Sequence, residues 1–288
     1  MILFSIKISL SIINLLFYMT LFNQKLYLSF KSKEVIKVIS GLNNTNIEQI
    51  IRLAKAAELS GATYLDIIAN SNIVKSLKLV SNLPICVSSI NPIDLYNCVI
   101  SGADLVEIGN FDTFYKQNIY LNPREIINLA KETRSLVGNV DICVTIPYYL
   151  HLNDQIKLAR NLEYCGINFL QTEALANKKS NIVNINNDNI FYSTNLSSFS
   201  LSSTYAISSA VKIPVLTSSG MNALSSAIAL HYGASGIGIG STVSQKINIY
   251  NMCLSLRDLR KSISSNTVYN YKNIILDSMI YEKNQFIY

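Results

Sequence analysis

The chain has 288 residues, 49% hydrophobic and only 15% charged, with a formal net charge of +6. That length allows one large domain with an ample core, and the mild, dispersed positive charge suits a small anionic ligand. There is no long basic stripe, so nucleic acid is not an expected partner. Five cysteines (Cys86, Cys98, Cys143, Cys165, Cys253) are odd in number and lack CxxC spacing, and the two histidines join no carboxylate cluster. A reducing compartment is therefore expected, with no metal site and no Ser-His-Asp triad.

Residues 1–22 are strongly apolar, with Lys7 their only charge. The stretch is marginal in length for a membrane span and carries no small-residue cleavage motif. It reads as an overlong start, with Met19 as the working initiator and no membrane association. The division expected is an apolar extension at 1–34, a barrel at 35–262 and a tail at 263–288.

From there strands and helices alternate. A strand at 33–40 ends at Gly41, and Thr45-x-x-Glu48 has the form of a capping box opening a helix with Ile47, Ile50, Ile51 and Ala54 at helical spacing. Strands at 64–68, 84–88, 105–108 and 142–146 follow, each preceded by a helix. Asn91-Pro92 and Asn122-Pro123 place a cap and then a proline at two helix starts, and Asn153 is read as the cap of a third. A strand at 168–172 leads into an irregular Asn- and Ser-rich insert at 174–200, then a helix at 201–211. A strand at 215–217 precedes a helix whose stripe is Leu224, Ala227, Ile228 and His231, which puts His231 in the core. The last strand, 237–239, runs into a helix at about 242–262.

Five of the eleven glycines (Gly61, Gly102, Gly138, Gly166, Gly233) fall between a helix and the next strand. Eight such units imply parallel strands with helical crossovers, closed as a single (β/α)8 TIM barrel. No GxGxxG opens a helix after the first strand, so a dinucleotide-binding sheet is the weaker alternative.

Chemistry in such a barrel sits at strand C-terminal ends. The final two strands end in Ser218, Ser219 and Gly220 and in Gly238, Gly240 and Ser241, small residues at helix starts. Backbone N–H groups there can cradle a phosphate. Lys37, Asp66 and Glu107 interrupt otherwise apolar strands, and an ion pair of Lys37 with either carboxylate is expected inside the barrel. Thr145 ends the fifth strand, while Gln171 and Glu173 share a face of the sixth. Glu173, at the strand end beside the insert, is the leading candidate for proton transfer, with Asp66 and Glu107 as further candidate bases; Lys37 is either a structural ion or an amine electrophile. Asp104 and Asp141 open their strands and belong to the opposite, stabilising end.

GLNN at 41–44, KAAELSGATYLDI at 55–67, LPICVSSINP at 83–92 and GADLVEIGNFDTFY at 102–115 resemble the hypothetical chloroplast open reading frame 23 proteins of algal plastids and cyanobacteria. QTE at 171–173, YAISSAVKIPVL at 205–216 and the GIGIGS ending fit the same pattern, which spans residues 35–260. The chain departs from it at Ala174 and Leu175, where the family carries glycines, and in its first 22 residues. The resemblance implies a phosphate-binding TIM barrel in a plastid, in a soluble, stroma-like compartment. It marks Lys37, Asp66, Glu107, Asn110, Gln171 and Glu173 as motif members without assigning a reaction.

The expected function is therefore an enzyme on a small phosphorylated metabolite, an isomerase, lyase or synthase using carboxylate acid–base chemistry. A non-catalytic barrel that senses a ligand or binds a partner is the alternative. No cofactor is expected unless the phosphate cup holds FMN, and self-association is left open.

Overall fold

Eight parallel strands pair in sequence order and close, β1 against β8. The computed structural model describes residues 21–41, 43–109, 111–115, 117–174 and 189–264. The strands are β1 (Val35–Ile39), β2 (Tyr64–Ile68), β3 (Ile85–Ser89), β4 (Leu105–Ile108), β5 (Asp141–Ile146), β6 (Phe169–Thr172), β7 (Val215–Thr217) and β8 (Gly236–Ile239). Around them run α1 (Gln24–Lys31), α2 (Ile47–Leu59), α3 (Ser71–Lys78), α4 (Pro92–Ile100), α5 (Asp112–Tyr115), α6 (Pro123–Val137), α7 (Leu152–Tyr164), α8 (Asn189–Ser208), α9 (Ala223–His231), α10 (Ser241–Ser244) and α11 (Ile249–Ile263).

Strand alternation divides the core in two. Ile36, Val38, Leu65, Ile67, Val106, Val144 and Leu170 face the helices. Val35, Tyr64, Cys86, Leu105, Cys143, Phe169 and Leu216 point inward and form an apolar layer near the strand starts. Two residues further along each strand, that inward row becomes Lys37, Asp66, Ser88, Glu107, Thr145, Gln171, Ser218 and Gly238. The polar site thus sits one pleat above an apolar floor.

The floor is closed from below by residues assigned from sequence to an extension. Leu21, Leu26 and Phe30 are buried against the inner layer, with the Phe30 ring 4.8 Å from that of Phe169. Asp141 accepts the backbone N–H groups of Phe22 and Asn23 at 2.7 and 2.9 Å. Arg134 donates to the carbonyls of Gly138, Val140 and Gly166, tying α6 to the starts of β5 and β6. Asp104 accepts from Ile85 N–H and Lys78. These carboxylates hold chain starts, as their place at the strand N-termini requires.

Several local expectations are corrected. The cap of α2 is Asn46, whose side chain accepts the Gln49 N–H, and not Thr45. His151, with no side-chain cap bond, stands at the start of α7 in place of Asn153. Helix α8 begins at Asn189, inside the stretch read as an irregular insert, and the last helix is broken into α10 and α11, the second capped by Asn248. The buried side of α9 is Ser225, Ser226 and Ala229, and His231 is exposed. Small residues let this helix lie close on the barrel, so its larger side chains turn sideways. The glycine reading holds: Gly61, Gly102, Gly138, Gly166 and Gly233 all have positive φ, as helix-to-strand turns require.

Candidate functional site

At the barrel's centre Lys37 is fully buried, its Nζ 3.0 Å from Asp66 Oδ2 and paired also with Glu107 Oε2. The expectation named one carboxylate; the structure brings both. Ser88, not singled out from sequence, donates to Asp66 Oδ1 at 2.5 Å. Lys37 also donates to Gln171 Oε1 at 2.9 Å, and Gln171 Nε2 donates to Glu107 Oε1 at 2.9 Å and Thr145 Oγ1 at 3.1 Å. Thr145 in turn donates to Glu107 Oε1 at 2.9 Å. Gly109 makes room for this: a Cβ there would lie 2.3 Å from Thr145 Oγ1.

Burial alone would discharge the Lys37 ammonium, but Asp66 and then Glu107 outweigh it and hold the amine's pKa above its ordinary value. Burial pushes the Asp66 carboxyl up to about 6, with Lys37 pulling it down and Glu107 raising it further. A charged, enclosed amine is no nucleophile, and all three of its donors face Asp66, Glu107 and Gln171. The Cys86 and Cys143 thiols beneath are pushed up, above all by burial, and remain protonated.

Above this network a cleft of about 290 Å³ opens at the strand C-terminal ends, lined by Ser40, Gln171, Glu173, Ser218, Ser219, Gly220, Gly238, Gly240 and Ser241, among others. All six residues expected to hold phosphate border it, but they differ in what they offer. Ser218 spends both donors on the Thr172 carbonyl, each at 3.0 Å. Gly238 contributes space, since a Cβ there would come within 2.9 Å of Ser218 Cβ. The N–H groups of Ser219, Gly220, Gly240 and Ser241 have no hydrogen-bond partner among the described residues. Ser219 (φ 71°) and Gly220 (φ 69°) are consecutive left-handed residues, a costly conformation for the serine. The two helix starts contribute less than expected. Asn222 already caps the first turn of α9, accepting from Leu224 and Ser225, and α10 has only four residues.

Glu173 lines the same cleft. Its Oε1 accepts from the Tyr115 hydroxyl and, at 3.3 Å, from the Tyr148 N–H. Tyr115, Tyr120, Tyr148 and Tyr149 pack ring on ring, with centroids 5.1–6.0 Å apart. The Tyr149 phenol is pushed up to about 12, by burial first and then by Glu173. Sequence reading missed these tyrosines; their signal was a cluster of Tyr after β4 and β5. His151 is exposed, and Asn110 lies outside the described residues. Among the described residues no group of three or more His, Cys, Asp or Glu could hold a metal.

Residues 21–269 match the family model described as a protein of unknown function, DUF561. The chain belongs to this family. A relative in Antithamnion sp., "Uncharacterized protein ycf23", is 50% identical over 238 residues, 81% of this chain and 86% of the relative. The protein of that name in Cyanophora paradoxa is 40% identical, covering 85% of this chain and 99% of its own. Solved structures of low identity share this DUF561 member's fold. Thiamine phosphate pyrophosphorylase from Pyrococcus furiosus superposes with a TM-score of 0.53 at 18% identity, covering 81% of this chain and 96% of that one. (S)-3-O-geranylgeranylglyceryl phosphate synthase from Thermoplasma acidophilum, solved with its substrate sn-glycerol-1-phosphate, gives 0.56 at 11% identity, covering 83% and 98%. The fold is a TIM barrel, as expected. No helix among the described residues is long and apolar enough to cross a membrane.

Proposed function

We propose that this chain is a plastid enzyme acting on a small phosphorylated metabolite, of the isomerase, lyase or synthase type. The observation that carries the reading is four N–H groups without a partner among the described residues, those of Ser219, Gly220, Gly240 and Ser241, bordering one cleft with the carboxylate of Glu173. Such groups fit an oxyanion and leave the ligand's far end near Glu173, the one carboxylate lining the cleft among the described residues. Glu173 is then the acid–base group. Lys37, Asp66 and Glu107 lie beneath and shape the floor. FMN is disfavoured by size: at about 290 Å³ the cleft lies at the lower limit of ordinary ligand pockets, ~300–1,000 Å³.

The second reading, a ligand-sensing barrel without chemistry, draws on the mutual pairing of the buried charges, which leaves Glu173 without a second catalytic group in the cleft among the described residues. Both need the phosphate cup. Calorimetric titration with inorganic phosphate and with sugar phosphates tests it, against Gly240→Asp. A Cβ at position 240 meets only ordinary contacts with Ile39, so the variant is expected to fold. Its carboxylate is expected to fill the cup and abolish binding. Equal affinity in the two proteins counts against the site. Isotope exchange from solvent into a bound sugar phosphate, lost in Glu173→Gln, separates enzyme from sensor.

A further inference from the structure

Gln171 joins the buried network to the cleft, and its hydrogen bonds leave no freedom in how its amide is turned. Lys37 can only donate, so the oxygen Oε1 faces it at 2.9 Å. Thr145 spends its hydrogen on Glu107, so its Oγ1 accepts from Nε2. Glu107 Oε1 takes the other Nε2 hydrogen at 2.9 Å. Both amide hydrogens are thereby used, while Oε1 accepts once and has capacity for one more bond.

The direction of that second acceptor site is marked by Gly238, on the neighbouring cleft wall. A Cβ on Gly238 would stand 3.3 Å from Gln171 Oε1 and 2.9 Å from Ser218 Cβ, so any side chain there would press on the amide oxygen. Gln171 and Gly238 border the same cleft as Ser219, Gly220, Gly240 and Ser241.

We infer that Gln171 reads the ligand: its Oε1 accepts a hydrogen bond from a hydroxyl or N–H of the phosphorylated molecule bound in the cleft. Lys37, Glu107 and Thr145 are positioning residues that fix which way the amide is turned. The substrate class narrows accordingly, to phosphorylated polyols, sugars or amines that carry a donor near the phosphate. A ligand offering only a carbonyl, ether or carboxylate there would set acceptor against acceptor. This inference rests on the phosphate cup proposed above, and the experiment separates the two.

Binding of inorganic phosphate, racemic glycerol 1-phosphate and propyl phosphate is measured by calorimetry on the full chain. The expected result is that glycerol phosphate binds at least about tenfold more tightly than propyl phosphate, since a site built for a hydroxyl rejects an analogue lacking it. Gln171→Met and Gln171→Leu, which each remove the amide oxygen, are expected to bring the two organic phosphates to within about twofold. Inorganic phosphate affinity should hold in both variants. Equal wild-type affinity for the two organic phosphates overturns the inference while leaving the cup intact, and so does a preference that survives in either folded variant. Absence of inorganic phosphate binding to wild type overturns the cup, and the reading of Gln171 falls with it.

Discussion

The two ends of the barrel treat their polar groups in opposite ways. At the strand starts, Asp141 takes two N–H groups of the incoming chain, Arg134 serves three carbonyls, and Phe30 and Leu26 cover the apolar floor. At the strand ends, four N–H groups go unpartnered among the described residues and a serine is held in the left-handed region. The same eight strands serve both ends, so the difference is one of use. Groups that are satisfied internally stabilise the fold, whereas groups left unsatisfied are available to a ligand. Between them lies the Lys37 layer, whose charges are paired with one another but which is bordered by the upper cleft.

That middle layer is where the contrast breaks hardest. Lys37→Met strands two buried carboxylates and is expected to cost about 3–5 kcal/mol, read as a lowered denaturation midpoint. An unchanged midpoint would mean that the layer stabilises nothing.

The lower end comes next. Phe30→Ala removes a ring packed on Phe169 and should cost about 3 kcal/mol, as large-to-small changes in a packed core do. Phosphate affinity should not move, because the cup is at the other end. Coupled losses of stability and affinity would contradict a division of labour between the two ends.

A smaller effect is expected with pH. The Asp66 carboxyl stands at about 6 in the folded chain against an ordinary 3.8, so between those values the native state binds more protons than the unfolded one. Its contribution to stability therefore declines as pH rises from about 4 to 6 and is flat above. Chemical denaturation across that window should show the decline, and Asp66→Asn should flatten it.

At the upper end Ser241→Ala should weaken phosphate binding only mildly, since the main-chain groups remain. Smallest of all is the effect of starting the chain at Met19. Leu21 and α1 are retained, so solubility and the unfolding midpoint are expected to match the full chain. Aggregation of the shortened protein would show that residues 1–18 take part in closing the lower end.

The alternation of strands and helices was legible because hydrophobic period, glycine and Asn-Pro punctuation act over a few residues. The placement of Lys37, Asp66 and Glu107 inside followed from charges in apolar strands. Their joint contact did not, because it depends on how strands staggered in a closed barrel bring inward rows level. The same holds for Tyr115 on Glu173, whose loops meet only once β4, β5 and β6 are adjacent. Local spacing misread the caps at Thr45 and Asn153, since Asn46 meets the first turn of α2 and α7 starts at His151 with no side-chain cap, and it put His231 in the core. The buried side of α9 was decided by which residues are small enough to lie on the barrel. Sequence also set Leu21, Leu26 and Phe30 aside as an extension, since nothing local shows an open barrel end that must be covered. The sequence by itself determined the units and their order, through local chemistry. Which polar groups are paired and which are left for a ligand was decided only by closure, because hydrogen bonding is settled between residues far apart in the chain.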